Sequence, residues 1–309
     1  MTPDKYTINE FFLDVGDGHQ LYVHDWGNKK AKTPIIFLHG GPGGQCKDKH
    51  KASFNPKQQR VIFYDQRGCG KSLPYGSLEH NTSAELVEDI EKIAKHLKIK
   101  SFILTGGSWG SSLALFYGIK YPTRVAGMVL NGIWTCRKEE NAWVDQGRFK
   151  TFFPEVWEAY QASAPTAHKE NPSKYHFARI LGEDETAARA SAYAYENLEG
   201  GVLSLDDRYT PDDFAEFDHY GARLEIHYLT NNAFVPEGYV QKNAHKLTMP
   251  IWLVQGRYDM VCPPKTAYEL SKLLPHGELI WTIGGHMFEH EGWNIIKLLL
   301  MQLTEPTSA

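Results

Sequence analysis

The sequence has little cysteine, no large excess of either charge and no long apolar run. Its 309 residues include four cysteines and carry a formal net charge of −4. The cysteines are scattered without Cys-x-x-Cys spacing, which favours a reducing compartment over a disulfide framework. Near-neutral charge offers no basic surface for nucleic acid. No apolar stretch approaches the roughly 18 residues of a membrane-spanning helix. We therefore expect neither a nucleic-acid nor a membrane partner.

The composition is that of an ordinary globular protein, with 42% hydrophobic and 23% charged residues. Aromatic residues reach 13%, which indicates a large core or an aromatic-lined pocket. The first residues lack the basic segment and apolar stretch of a secretory signal, so we predict a cytoplasmic protein. The length fits one large domain or a core domain with an insertion. No pattern in the sequence indicates an oligomeric state.

Short apolar runs that end in glycine-rich turns indicate a parallel sheet covered by helices. These runs lie at 34–38, 60–64, 102–105, 125–130, 250–254 and 278–283, and another strand is predicted at 20–26. Thr82 and Glu85 have capping-box spacing at the start of a helix. Between 137 and 246 the apolar pattern becomes helical. We predict an α/β fold with a core at 1–136 and 247–309, interrupted by a helical cap at 137–246.

The residues 106–110, Gly-Gly-Ser-Trp-Gly, match the Gly-x-Ser-x-Gly nucleophile elbow. In that motif a sharp turn between a strand and a helix exposes the serine hydroxyl above the edge of the sheet. The pattern lies here between a predicted strand and a predicted helix, which is the required context. Ser108 is therefore the candidate nucleophile. The alternative is a tight glycine-rich turn with an incidental serine.

Asp259 and His286 are the candidate partners of Ser108, because a serine nucleophile needs a base and the base needs an orienting group. In α/β hydrolases these follow in the chain order serine, acid, histidine. Asp259 and His286 each follow a predicted strand, where sheets of this type place their ligands. Taken singly, Asp259 would be a turn residue and His286 a surface histidine.

The glycine-rich loop at 39–44, His-Gly-Gly-Pro-Gly-Gly, is a candidate oxyanion site. Acyl transfer needs two backbone N–H donors that point at the developing oxyanion. The residue after the nucleophile, Trp109, supplies one, and we assign the other to Gly41. The alternative for this loop is a plain turn.

Two further motifs point to other chemistry. The residues 286–290 match His-x-x-Glu-His, a zinc-peptidase pattern, but two glycines precede them and little chain follows for a third ligand. Gly-Lys-Ser at 70–72 lacks the leading glycine of a phosphate-binding loop, since residue 65 is Asp. We therefore predict no metal site and no cofactor.

Four strings together resemble the proline iminopeptidases, also called prolyl aminopeptidases. They are the loop at 39–44, Asp-Gln-Arg-Gly-Cys-Gly-Lys-Ser at 65–72, the elbow at 106–111 and Gly-Arg-Tyr-Asp-Met-Val-Cys-Pro at 256–263. The resemblance implies an α/β-hydrolase fold, a mostly parallel sheet with helices on both faces and an inserted helical cap. It also implies a metal-free serine peptidase that removes an N-terminal proline from peptides with a free N-terminus.

The resemblance also implies substrate-binding residues in the cap. The family carries one glutamate after an aromatic residue and a second in an Arg-Ile-Glu-Asn-His-Tyr-Phe string, which here are similar to Glu196 and Glu225. Such carboxylates would pair with the substrate's amine, a cation that is costly to bury alone. The family's aromatic proline pocket implies Trp134 and Leu229 here. The alternative for each glutamate is a solvated helix face.

Some positions depart from the family pattern. Ala192 and Tyr195 stand where the family usually has tryptophan, and Met287 and Phe288 follow the histidine in place of small residues. These departures leave strict selectivity for proline open, so other small apolar residues are included in the prediction. One alternative function is an esterase or amide hydrolase of the same fold that acts on small acyl substrates. Another is a binding protein that has lost catalysis.

Overall fold

Eight strands form one sheet in the computed structural model, which describes residues 4–205, 214, 216–288 and 290–304. Across the sheet they lie in the order β1-β2-β4-β3-β5-β6-β7-β8. The pairs β1–β2 and β2–β4 are antiparallel, and all the other pairs are parallel. The strands are β1 Thr7–Gly16, β2 His19–Gly27, β3 Ile35–Leu38, β4 Arg60–Tyr64, β5 Phe102–Ser108, β6 Val125–Ile133, β7 Ile251–Gly256 and β8 Gly277–Thr282.

Ten α-helices lie in the described part of the chain, and six of them, α3 to α8, are inserted between β6 and β7. None of these ten is long and apolar enough to cross a bilayer. The helices are α1 Ser83–His96, α2 Trp109–Lys120, α3 Lys138–Asp145, α4 Pro154–Ser163, α5 Pro172–Ile180, α6 Glu185–Gly200, α7 Tyr220–Thr230, α8 Tyr239–Asn243, α9 Pro264–Ser271 and α10 His290–Thr304. At the start of α1 the predicted capping box is confirmed, because the Thr82 N–H donates to Oε2 of Glu85 at 2.8 Å.

Successive strand residues pack into two separate cores, one on each face of the sheet. Ile36 and Leu104 belong to a core shared with α1, α2 and α9, whereas their neighbours Ile35 and Ile103 belong to a core shared with α10. Strand side chains alternate between faces, so strands that are apolar at every position need helices on both sides. The predicted α/β fold is therefore confirmed. A third core lies within the inserted helices and includes Tyr195, Leu198 and Ile226.

The parallel strands bring four loops to one edge of the sheet. The loop at 39–44 follows β3, Ser108 ends β5, Asp259 follows β7 and His286 follows β8. Because β3, β5, β6, β7 and β8 are successive parallel neighbours, their carboxyl ends meet at the same edge. Residues far apart in the sequence are thereby placed in one region.

Candidate active site

Ser108 occupies a sharp turn between β5 and α2. Its backbone has φ +56° and ψ −128°, a conformation that a residue with a Cβ rarely adopts. The flanking glycines are required by crowding: a Cβ on Gly106 would lie 2.5 Å from the carbonyl oxygen of Leu38, and one on Gly110 would lie 2.2 Å from the same atom. The spacing Gly-x-Ser-x-Gly therefore follows from how closely this turn approaches β3.

Asp259 and His286 are hydrogen-bonded to each other. Nδ1 of His286 lies 2.9 Å from Oδ2 and 3.1 Å from Oδ1 of Asp259, whose side chain is fully buried. The carboxylate also accepts the N–H groups of Val261 and Cys262 at 3.0 and 2.7 Å, and Nε2 of Gln255 at 3.0 Å. These donors fix the carboxylate in the orientation in which it meets the imidazole.

The imidazole of His286 lies close to the serine turn. A Cβ built on Gly132 would lie 2.9 Å from Cε1 of His286 and 3.4 Å from the backbone nitrogen of Ser108, so both residues pack against this one glycine. Burial lowers the pKa of His286, but the negative charge of Asp259, with a smaller contribution from Glu199, outweighs burial and leaves the pKa raised. The protonated imidazole is therefore stabilised at this position.

Gln66 connects the glycine-rich loop to the start of α2. Its N–H donates to Nε2 of His39 and its Nε2 donates to the carbonyl oxygen of His39, both at 3.0 Å. Its Oε1 accepts Nε1 of Trp109 at 2.7 Å. Gln66 thereby fixes the two segments that carry the Gly41 and Trp109 N–H groups. Gln66 lies in the Asp-Gln-Arg-Gly string at 65–68, but no pattern in the sequence predicted this role.

The glycine-rich loop is also in contact with the inserted helices. Gly41 has φ +113°, which favours glycine, and lines the same cleft as Ser108. A Cβ on Gly43 would lie 2.2 Å from the carbonyl oxygen of Gly221 in α7. The two backbones therefore meet directly, without a side chain between them.

A cleft contains Ser108, with apolar and acidic side chains in its wall. Trp134, Leu229 and Glu225, which the resemblance implied as binding residues, line it together with Gly41. The other residues in its wall are Glu140, Asn141, Val144, Asp145, Tyr195, Glu199, Val261 and Cys262.

Glu199, and not Glu196, lies in this cleft beside Glu225. Glu196 is absent from the described residues that line the cleft, although its charge acts on Glu225, and Glu199 lies in the wall one helical turn further along α6. The pattern of a glutamate after an aromatic residue selected Glu196, which follows Tyr195. Glu199 follows Leu198, and so the same pattern did not select it.

Glu199 and Glu225 form a pair of buried acids. Burial raises the pKa of both carboxyl groups, and the two side chains hydrogen-bond to each other. The negative charges of Glu199 and Glu196 raise the pKa of Glu225 further. The hydroxyl of Tyr195 donates to Oε1 of Glu225 at 3.4 Å. A pair of this kind holds a proton when no cation is near, and a bound ammonium group would replace that proton.

Among the described residues, one group has metal-ligating atoms close enough together to hold a metal ion. Its members are Asp259, Cys262 and His286, whose donor atoms all lie within 4.8 Å of one another. Two properties disfavour this use. The Asp259 oxygens already accept several hydrogen bonds, and burial raises the pKa of the Cys262 thiol well above its usual range. A metal ligand must be the thiolate. In the zinc pattern at 286–290, Glu289 and the side chain of His290 lie outside the described residues.

Comparisons with known proteins agree with this fold. The profile of the α/β hydrolase fold family matches residues 33–291. A proline iminopeptidase of Xylella fastidiosa (strain Temecula1) is 36% identical over 305 residues, 96% of each chain. One of Arabidopsis thaliana is 38% identical over 281 residues, 86% of this chain and 72% of that one. The solved structure of VinJ aligns with a TM-score of 0.64 at 17% identity, over 96% of this chain and 98% of that one.

Proposed function

Because the chain belongs to the proline iminopeptidase family of α/β hydrolases, we propose that it is a serine aminopeptidase that releases an N-terminal proline from peptides. One observation carries the proposal. A single cleft contains Ser108, an apolar wall with Trp134 and Leu229, and the paired acids Glu199 and Glu225. This combination suits a substrate that has an apolar ring and a cationic amine next to its scissile carbonyl.

Acyl transfer begins at Ser108. Its Oγ attacks the carbonyl carbon of the first residue while His286 takes the hydroxyl proton. Asp259 orients the imidazole and stabilises its protonated form. The N–H groups of Gly41 and Trp109 bind the oxyanion. When the C–N bond breaks, His286 gives its proton to the leaving amine, and water then hydrolyses the acyl-enzyme with His286 again as base.

Glu199 and Glu225 bind the free amine and thereby make the enzyme an exopeptidase. Proline at a free N-terminus carries a secondary ammonium group with two N–H donors, one for each carboxylate. The pairing compensates the cost of removing this cation from water. An N-acylated proline lacks the charge and leaves both acids without a partner. A neutral ester substrate makes no use of these acids, which disfavours a plain esterase.

The cap in this proposal is the helical segment 137–246, which supplies Glu199, Glu225 and Leu229 to the cleft. The partners are peptides with a free N-terminus. We place the enzyme in the cytoplasm, and its four free cysteines support a reducing compartment.

A substrate panel tests the proposal. The purified protein is assayed with chromogenic amides of proline and of other residues, with N-acetylprolyl amide, and with short acyl esters. We expect the prolyl amide to have a higher kcat/KM than the amides of residues with bulky side chains. Acetylation of the proline nitrogen should remove most of the prolyl-amide activity. Strong cleavage of acyl esters with negligible cleavage of any free aminoacyl amide would show an esterase instead.

A further inference from the structure

Asp145, the last residue of α3, is a third carboxylate in the cleft of Glu199 and Glu225. Its side chain is half-buried, and its Oδ1 is fully buried without a hydrogen-bond partner among the residues that the structure describes. The backbone carbonyl oxygen of Asp145 accepts the hydroxyl of Ser173 at 2.7 Å, a bond that leaves the carboxylate unaffected. A buried acceptor without a donor is costly, and so it needs an explanation.

The three carboxylates act on one another electrostatically. Burial and the negative charge of Glu199 raise the pKa of Asp145 to about 7. The charge of Asp145 in turn contributes to the raised pKa of Glu225. Asp145 therefore belongs to the same acidic cluster as the pair to which we assign the substrate's amine.

The number of N–H donors distinguishes the amines that this cluster could bind. The secondary ammonium of an N-terminal proline has two N–H groups, which Glu199 and Glu225 satisfy. A primary ammonium has three. We propose that Asp145 accepts the third N–H of a primary N-terminal ammonium, so that the enzyme also releases small residues such as alanine. This inference rests on the aminopeptidase function proposed above.

The wall of the cleft limits which primary amines qualify. Val144 precedes Asp145 on α3 and lines the cleft with Trp134 and Leu229, so apolar side chains share the wall with the acids. Alanine fits such a wall without a polar side chain to be buried. With proline bound, Asp145 remains without a donor, as in the free enzyme.

Three substrates separate the effect of the amine from that of the side chain: chromogenic amides of alanine, N-methylalanine and proline. N-methylalanine keeps the alanine side chain but has only two N–H donors when protonated. For the wild type we expect alanyl amide to be cleaved with a higher kcat/KM than N-methylalanyl amide. Asp145→Asn should lower kcat/KM for alanyl amide roughly ten- to a hundredfold, and change the other two by less than about threefold, since neither supplies the third donor.

Glu158→Gln is the matched control, because Glu158 is an exposed carboxylate of the inserted helices on α4 and lies outside the cleft. It should leave all three values unchanged. Turnover of prolyl amide by Asp145→Asn shows that the variant is folded, and the alanyl to N-methylalanyl ratio of the wild type tests the inference without any variant.

Equal losses on all three substrates, or no loss on alanyl amide, would overturn the role of Asp145. A wild type that cleaves prolyl but not alanyl amide overturns this inference and leaves the proposed function intact. A wild type that cleaves none of the free aminoacyl amides overturns the proposed function itself.

Discussion

The backbone N–H of Cys262 donates a 2.7 Å hydrogen bond to Oδ1 of Asp259, an oxygen that also lies 3.1 Å from Nδ1 of His286. The Cys262 side chain lines the cleft and is itself buried. A bulky group attached to its sulfur would therefore displace the segment that holds Asp259, although the thiol takes no part in the proposed acyl transfer.

We expect Cys262→Ser to retain most activity and to resist inactivation by a large thiol reagent, whereas the wild type loses activity. Serine keeps the backbone N–H that Asp259 needs. The measurement is residual prolyl-amide turnover after treatment, with Cys69→Ser, which changes a buried thiol outside the cleft, as the control. An inactive but folded Cys262→Ser variant would show that the thiol has a role in the reaction.

Ser108→Ala should abolish turnover and leave the fold intact. Loss of a triad serine lowers kcat by up to about 10⁶-fold, and alanine removes only the hydroxyl. Turnover of prolyl amide is compared with that of Ser271→Ala, which loses a hydroxyl on the exposed end of α9. More than about one per cent of wild-type kcat in a Ser108→Ala preparation free of wild type would contradict Ser108 as nucleophile.

Glu199→Gln and Glu225→Gln should each lower kcat/KM on prolyl amide by roughly ten- to several-hundredfold, because each variant loses a charged hydrogen bond to the amine. Hydrolysis of a small neutral ester should change little. Glu196→Gln is the matched control on α6 and should have a much smaller effect on both substrates. Proportional losses of ester and amide turnover would indicate a structural role, and a dominant effect of Glu196→Gln would restore the original assignment.

Asp145→Asn should stabilise the protein more at pH 8 than at pH 5. The pKa of Asp145 rises from its ordinary value of 3.8 to about 7 in the folded state, so the folded state favours the protonated carboxyl. The associated stability is present below pH 4 and is lost as the pH rises through 7. The Asp145→Asn variant has no carboxyl group to titrate here. Its free energy of unfolding relative to that of the wild type should therefore rise by about 2 kcal/mol between pH 5 and pH 8. Denaturant unfolding at both pH values measures it, and a constant difference would contradict a buried ionisable Asp145.

Much of the core fold could be predicted because its strands are apolar on both faces and end in glycine-rich turns. The candidate triad could be selected because each member lies at or after the end of such a strand. The chain order Ser108, Asp259, His286 then matched the order serine, acid, histidine of α/β hydrolases. β1 was not predicted: it is an edge strand with a single buried residue, and its sequence has no continuous apolar run.

The inserted helices were less predictable, because helical periodicity alone does not say which face meets the cleft. Glu196 and Glu199 lie three residues apart on α6, and only the packing of that helix distinguishes them. No pattern in the sequence pointed to Asp145, because a single acidic residue at the end of a helix is usually exposed to solvent. Gln66 was overlooked because its bonds join three segments that are distant in the sequence.

The direct backbone contact between Gly43 and Gly221 restricts how this enzyme could be recombined with its relatives. A chimera that exchanges the inserted helices must keep a glycine at position 43 and a backbone at position 221 that leaves room for it, because a Cβ on Gly43 would lie 2.2 Å from the carbonyl oxygen of Gly221. Crossover points at 137 and 246 thus replace the segment that contains Gly221, whereas position 43 stays that of the recipient. New specificities are therefore more readily obtained by changing side chains within the cleft than by grafting a foreign cap.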